Sequence, residues 1–307
     1  MTTAYLLVSH GSSDPRHRKA LMRLAQLVRQ QLENPPQSHP SQPPQSSHHE
    51  GPGTEPVEGD FPVDRRFSPG RLASDEARRF GPAPPLVGVA MLEATPLSLT
   101  QQIATFGHRA AALGVTQVVI APLFLLQGVH VTEDLPREVA AAQQQLSAAV
   151  QLHCTVHLGG YDGLQTFLTQ RLSAAATPSV LVAHGSRQAD GNRRIEKLAK
   201  RMGATAAFWT AAPNLETRLI ELIQQGHQQL TVLPLFLFPG TITDAIMRQV
   251  DALAERFPRL RLRLLPPLGS SEVLAAVVVA LLITAGSPQW MTDVPEPRLS
   301  SVDGIHV

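Results

Sequence analysis

The chain has 307 residues, and its 26 lysines and arginines against 25 aspartates and glutamates give a formal net charge of +1. This balance lacks the basic excess of a nucleic-acid-binding protein, so we expect no nucleic-acid partner. The single cysteine, Cys154, excludes an internal disulfide and a cysteine-ligated iron–sulfur cluster. The longest apolar run, 273–283, is too short to cross a membrane, and the first residues do not resemble a signal peptide. We therefore expect a cytoplasmic protein with no membrane partner.

The prolines are concentrated in one segment, because 12 of the 26 lie between Pro35 and Pro85. Within 34–56, proline, serine, glutamine and histidine make up 17 of 23 residues. Such a composition offers too little apolar surface to offset the entropy lost on ordering. The sequence therefore predicts a disordered insert at about 34–85, and a similar composition predicts a loose tail at 286–307.

The remaining sequence contains an internal repeat. The residues YLLVSHGS at 5–12 return as SVLVAHGS at 179–186, and PLFLL at 122–126 returns as PLFLF at 234–238. The first copy is longer, and the insert accounts for nearly all of its additional length. The sequence thus predicts two copies of one structural unit.

Each copy alternates short apolar runs with helical periodicity. In the first copy, strands are predicted at 6–9, 86–91, 118–121 and 151–157. The alternation predicts an α/β fold made of two tandem, doubly wound parallel-sheet units. We divide the chain into a first unit, a second unit and a tail, at 1–160, 161–285 and 286–307.

Three candidate site residues follow the first three strands of the first copy: His10, Glu93 and His130. Neighbouring parallel strands lie about 4.8 Å apart, so these side chains can converge at the carboxyl edge of the sheet. Two imidazoles and a carboxylate suit a divalent ion such as Fe, Co, Ni or Zn, and they also suit proton removal near neutral pH. Taken singly, each histidine is equally typical of a hydrogen-bonded turn, and Glu93 is more typical of a helix start than of a functional site.

The second copy retains one of these three residues. His184 corresponds to His10, whereas Thr210 and Ile242 stand where the first copy has Glu93 and His130. The comparison predicts that the first copy carries the working site and that the second is a scaffold or half-site.

Arg16, Arg18 and Lys19 follow Asp14-Pro15, which is typical of a helix start. Positive charge is mildly unfavourable in the first turn of a helix, so these residues suggest an anionic ligand. A solvated helix face accounts for them equally well.

Other polar residues are interpreted as structural or incidental. They are the helix-start charges Glu133 and Asp134, the strand residues His153, Cys154 and His157, and the insert histidines His39, His48 and His49.

Three segments, 7–16, 91–96 and 122–134, together resemble the class II chelatases, specifically the sirohydrochlorin chelatases of sirohaem and cobalamin synthesis. The resemblance implies that His10 and His130 handle the metal and that Glu93 assists them. It also implies one active site, built from the histidines of one half.

The same resemblance implies an enzyme whose substrates are sirohydrochlorin and a divalent metal ion, Fe²⁺ or Co²⁺, with no organic cofactor. Sirohydrochlorin is a polycarboxylate, so we expect Arg16, Arg18 and Lys19 to bind its carboxylates. We expect a monomer, because the two copies can pair within one chain.

Two other functions stay open at this stage. Histidine-nucleophile phosphatases and mutases also place His-Gly after the first strand, but arginine precedes their histidine and here Ser9 does. A cytosolic metal carrier could use the same ligands without catalysis.

Overall fold

The computed structural model describes residues 3–34, 84–175, 177–186 and 189–285. Residues 35–83 of the predicted insert, with His39, His48 and His49, and the predicted tail lie outside these ranges. The strands are β1 Thr3–Ser9, β2 Val87–Met91, β3 Gln117–Pro122, β4 Gln151–Cys154, β5 Ser179–Ala183, β6 Ala204–Phe208, β7 Gln229–Pro234 and β8 Arg261–Leu264. The helices are α1 Pro15–Glu33, α2 Leu99–Ala112, α3 Leu135–Gln145, α4 Asp162–Ser173, α5 Ala189–Arg201, α6 Leu215–Gln224, α7 Thr241–Arg256 and α8 Glu272–Ala285.

Each copy forms a four-stranded parallel sheet. The strand orders are β2-β1-β3-β4 and β6-β5-β7-β8, so the two sheets have the same topology. Equivalent strands also pair in similar registers, with Ser9 opposite Met91 in the first sheet and Ala183 opposite Phe208 in the second. The predicted fold class, two doubly wound α/β units in tandem, is confirmed.

The two sheets share one apolar core. Along β1, Ala4, Leu6 and Val8 face one apolar cluster, while Leu7 faces another that also contains Leu181 of β5. This shared cluster contains the buried faces of α1, α4 and α8. The opposite face of the first sheet is covered by α2 and α3. The opposite face of the second sheet is covered by α6 and α7. Because both faces of each sheet are covered, the strands are continuous apolar runs.

The first helix begins where the sequence predicts. Its first residue is Pro15, and the Asp14 carboxylate accepts a hydrogen bond of 2.9 Å from the backbone N–H of Arg16. The fourth strand is shorter than predicted, because it ends at Cys154 rather than at His157. After one further backbone bond, from Thr155 to the carbonyl of Ile120, the chain leaves the sheet. No helix among the described residues is both long and apolar enough to cross a membrane.

Candidate metal centre

His10 and Glu93 lie side by side because the pairing of β1 with β2 continues beyond both strands. The backbone N–H of Leu92 donates to the carbonyl of Ser9 at 3.0 Å, and that of Glu93 donates to the carbonyl of His10 at 2.9 Å. Gly11 permits this approach, because a Cβ there would lie 2.2 Å from the carbonyl oxygen of Glu93. Its φ of +95° is also accessible to glycine at little cost. Gly11 is therefore required by the backbone geometry that places His10 beside Glu93.

His130 reaches the same place from β3. The first residue after this strand, Leu123, donates to the carbonyl of Val8 at 2.7 Å, which keeps the loop beside β1. The loop then enters a single π-helical turn, His130–Asp134, in which the N–H of Leu135 donates to the carbonyl of His130. Such a turn is wider than an α-helical turn, and π-turns are frequent at functional sites.

The structure brings the three predicted residues together. One ligand atom from each of His10, Glu93 and His130 lies within 4.8 Å of the others, and no other such group occurs among the described residues. The two imidazole rings are 4.9 Å apart at an interplanar angle of 83°, and Nδ1 of His10 lies 3.8 Å from Oε2 of Glu93. All three side chains are open to solvent, with exposed fractions of 48%, 57% and 39% for His10, Glu93 and His130. These three ligand atoms could hold a divalent ion such as Fe, Co, Ni or Zn, as the sequence predicts.

A carboxylate that the sequence analysis assigned to a helix start contacts this group. Oδ2 of Asp134 lies 2.8 Å from Nδ1 of His130, and its Oδ1 accepts a hydrogen bond of 2.9 Å from Arg137. The hydrogen bond from His130, together with the charge of Arg137, holds the pKa of Asp134 below its ordinary value. The four-residue spacing from His130 was the sequence signal for this contact, since residues four apart face each other in a helical turn.

A second missed residue is His17, in the first turn of α1. Its Nε2 lies 3.2 Å from the hydroxyl of Ser9, and its ring packs edge-on against Phe238 of the second copy at 5.0 Å. Burial, together with the nearby imidazole of His10, lowers the pKa of His17. The lowered pKa keeps the His17 ring neutral at about pH 7. No periodicity in the sequence predicts its contact with Phe238 of the second copy.

The three predicted basic residues have different surroundings. Arg16 forms paired contacts with Asp14 and with Asp244 of α7, at 2.6 Å and 2.7 Å for the shortest of each. These contacts raise the pKa of Arg16 and lower those of both aspartates. Arg18 and Lys19 line an exposed groove along α1 and have no ion pair within the part of the chain that the structure describes.

The strand residues interpreted as structural do not form a ligand cluster among the described residues. Burial raises the pKa of the Cys154 thiol to about 12, so it stays protonated. Burial and the charge of Arg194 lower the pKa of His157. Arg194, on α5 of the second copy, donates a hydrogen bond of 2.7 Å to Gln127 in the loop before His130. The second copy thus contacts the loop that carries one of the two imidazoles.

A comparison with protein families matches the CbiX family model to residues 72–175 and 178–285. Together the two matches cover about two thirds of the chain. They meet between residues 175 and 178, so α4 falls in the first match, whereas our division at residue 160 assigns it to the second unit.

Among curated proteins, the sirohydrochlorin ferrochelatase of Priestia megaterium is 24% identical over 155 residues. This alignment covers 46% of the present chain and 58% of that relative, less than two thirds of its length.

Among solved structures, SirB from Bacillus subtilis with Fe³⁺ has a TM-score of 0.61 at 18% identity, covering 93% of this chain and 96% of that one. The sirohydrochlorin chelatase SirB from Bacillus subtilis subspecies spizizenii in complex with cobalt has a TM-score of 0.59 at 18% identity, covering 94% and 97%. DR2241 from Deinococcus radiodurans, a multi-domain protein, also scores 0.59 at 18% identity and is matched over 55% of its length. Because each of these structures is only 18% identical to the present chain, the similarity shows that the fold is shared.

Proposed function

Because the chain belongs to the CbiX family, we propose that it is a sirohydrochlorin chelatase, which inserts a divalent metal ion into the tetrapyrrole. The observation that carries this proposal is the group formed by His10, Glu93 and His130, whose ligand atoms lie within 4.8 Å of one another. The group is open to solvent, so a hydrated ion and a planar macrocycle could both reach it.

The reaction needs two things from these side chains. The incoming ion must exchange its water shell for the four nitrogens of the macrocycle, and two pyrrole protons must leave. A neutral imidazole of His10 or His130 would hold the ion during this exchange, and the Glu93 carboxylate or an imidazole would accept protons. The products are the metallated tetrapyrrole and two protons, so no oxidant or reductant is needed.

The edge of the sheets that carries the site also exposes apolar side chains suited to the face of a macrocycle. Ten large apolar residues among those described are exposed, and half of them lie in loops that follow strands. These five are Leu97, Leu126, Val129, Val156 and Trp209. Their exposure at the carboxyl edges supports a ligand with a flat apolar face, such as the ring of a tetrapyrrole.

The carboxylates of sirohydrochlorin would be bound most favourably by basic side chains near this edge. We propose that Arg18 and Lys19 contact them, since neither has an ion pair within the described ranges. Arg16 already contacts Asp14 and Asp244, so we expect it to contribute less. We further propose that the protein acts in the cytoplasm as a monomer, with its two copies as tandem units; the apolar core common to both sheets supports this arrangement.

The test is anaerobic incubation of the purified protein with sirohydrochlorin and either Fe²⁺ or Co²⁺, followed by the absorbance of the macrocycle. We expect metal-dependent conversion of the sirohydrochlorin spectrum well above the rate without protein. Metal binding without conversion would instead indicate a carrier.

Both Fe²⁺ and Co²⁺ fit this donor set, because imidazole and carboxylate ligands accept either ion. We propose that the protein uses one of these two ions in the cell. The ion can be identified by expressing the protein in cells deficient in sirohaem synthesis and in cells deficient in cobalamin synthesis. Rescue of the first would indicate Fe²⁺, and rescue of the second would indicate Co²⁺.

A further inference from the structure

The two imidazoles of the site differ in how they are held. Nδ1 of His130 lies 2.8 Å from Oδ2 of Asp134. An ionised carboxylate can only accept a hydrogen bond, so Nδ1 carries the proton and donates it, which leaves the lone pair on Nε2. Nδ1 of His10 lies 3.8 Å from Glu93, beyond hydrogen-bond distance. Of these two imidazoles, therefore, that of His130 has its tautomer and ring orientation fixed by a carboxylate and that of His10 does not.

We propose that Asp134 is the positioning residue of the metal centre. It holds His130 as the tautomer whose Nε2 is free and directs that nitrogen toward the site where His10 and Glu93 converge. Carboxylates that bind the second nitrogen of a metal-binding histidine have this effect on ring orientation and on ligand basicity. The inference rests on the proposed function only in that it takes His130 as a metal ligand.

The turn that carries both residues is itself anchored. The carbonyl of Gly128 accepts from the backbone of Val131 and Thr132 and from the Thr132 hydroxyl. At its other end, Leu135 is 3% exposed and packs in the apolar cluster on the outer face of the first sheet. His130 and Asp134 thus face each other across one turn whose two ends are both fixed.

Asp134 is held from its far side as well. Its Oδ1 accepts from Arg137 at 2.9 Å, so each carboxylate oxygen has one donor. Arg137 also lies 3.8 Å from Glu138, whose carboxylate accepts from both the backbone and the hydroxyl of Thr100 in α2. A carboxylate bound at both oxygens has little freedom to rotate, which is the condition for orienting a ligand within a fraction of an ångström.

The second copy lacks every part of this arrangement. Ile242 replaces the histidine, and the residue four positions later, Ile246, is fully buried in apolar surroundings. The stretch is also continuous α-helix from Thr241 to Arg256, without a π-turn. Histidine, aspartate and π-turn are present together in one copy and absent together in the other, as expected if they act as a unit.

The test compares Asp134→Asn with Glu133→Gln. Both substitutions remove one carboxylate charge from the same turn, but Glu133 is exposed and forms no hydrogen bond or ion pair within the described residues. The first measurement is a titration with Co²⁺ alone, read by its visible ligand-field absorption. The second is the insertion rate against metal concentration at saturating sirohydrochlorin.

We expect Asp134→Asn to weaken Co²⁺ binding by about 10- to 100-fold and to raise the KM for metal correspondingly, the usual cost of removing such a partner. An asparagine amide can donate to Nδ1 and so favour the wrong tautomer. Sirohydrochlorin binding should be unchanged, and Glu133→Gln should behave as wild type. Asp134→Glu, which retains the charge and the acceptor, should recover part of the affinity.

Equal Co²⁺ affinity in Asp134→Asn and Glu133→Gln would overturn the inference. An unchanged affinity with a lower rate at every metal concentration would also overturn it, by placing Asp134 in proton transfer instead. If Asp134→Asn does not fold, Asp134→Ala takes its place, and a wild-type Co²⁺ affinity in that variant, which has no acceptor for Nδ1 of His130, would overturn the inference. Weakened Co²⁺ binding in a protein that never inserts metal would leave this inference standing while the chelatase proposal fails.

Discussion

The two copies use the same backbone to hold different side chains. His10 and His184 are each followed by a glycine with positive φ, +95° and +86°. In each copy the carbonyl of the histidine accepts a backbone hydrogen bond of 2.9 Å from the end of the neighbouring strand, from Glu93 in one case and from Thr210 in the other.

The side chains on this common frame diverge. Glu93 extends toward His10, whereas the Thr210 hydroxyl donates back to the carbonyl of His184 at 2.9 Å. Nδ1 of His184 bonds the adjacent carbonyl of Gly185, which leaves the ring turned to its own backbone. The repeated motif therefore maintains a strand-end geometry, whereas the group of three candidate ligands depends on what two further strands add to it.

The largest expected effect distinguishes His10 from His184, the two histidines of the repeated motif. His10→Ala and His130→Ala should each lower the insertion rate by at least about 10²-fold, because each removes a proposed metal ligand and proton acceptor. His184→Ala should leave the rate near that of wild type. The measurement is insertion under anaerobic conditions, with circular dichroism to check the fold. A loss in His184→Ala equal to that in His10→Ala would show that both copies work.

Glu93→Gln should lower the insertion rate by about 10²-fold, the lower end of the range for loss of a general acid or base. Glutamine retains the shape of the side chain but neither its charge nor its basicity. The measurement is the rate against metal concentration at saturating sirohydrochlorin. A deficit that disappears at high metal would mean that Glu93 only recruits the ion, and an unchanged rate would return it to a helix-start role.

Arg16→Gln and Asp244→Asn should have smaller effects, with insertion changed by less than about fivefold, as for exposed ion pairs. Arg16→Gln should lower the thermal midpoint more than Asp244→Asn, because Arg16 also contacts Asp14, and the double variant should be no worse than Arg16→Gln alone. Arg16 holds the pKa of Asp244 below its ordinary value, so the pair stabilises the fold above that value and loses its effect as the pH falls through the lowered pKa. The difference between wild type and Arg16→Gln should thus shrink below about pH 4.

If Arg16 instead contacts substrate carboxylates, Arg16→Gln will raise the KM for sirohydrochlorin while Asp244→Asn does not. The matched variant is Arg18→Gln, which removes a guanidinium from the same helix. Because Arg18 has no ion pair within the described ranges, this substitution should change the KM for sirohydrochlorin without removing an ion pair of the fold.

The smallest expected effect comes from rebuilding the residue types of the site in the second copy. Adding Thr210→Glu and Ile242→His to His10→Ala should restore no insertion, since the helix from Thr241 has no π-turn and Ile246 offers no carboxylate. Co²⁺ titration should give no additional strong site per chain. Recovered insertion would show that residue type alone suffices.

The fold and the three converging residues could be predicted from sequence for a local reason. Buried parallel strands are short apolar runs, and the loop after such a run begins at the carboxyl edge of the sheet. His10, Glu93 and His130 lie in the loops that follow three neighbouring strands, so strand order predicts that they can converge, although the exact place of His130 depends on the longer loop after β3.

The tertiary structure decided the contacts that join distant residues or depend on turn type. Arg16 meets Asp244 across 228 positions of sequence, and His17 meets Phe238. Asp134 is only four residues from His130, but the residues alone do not distinguish a helix-start charge from a partner of the imidazole. Apolar periodicity specifies which residues are buried, whereas these contacts depend on where the edges of the two sheets meet and on how one turn is wound.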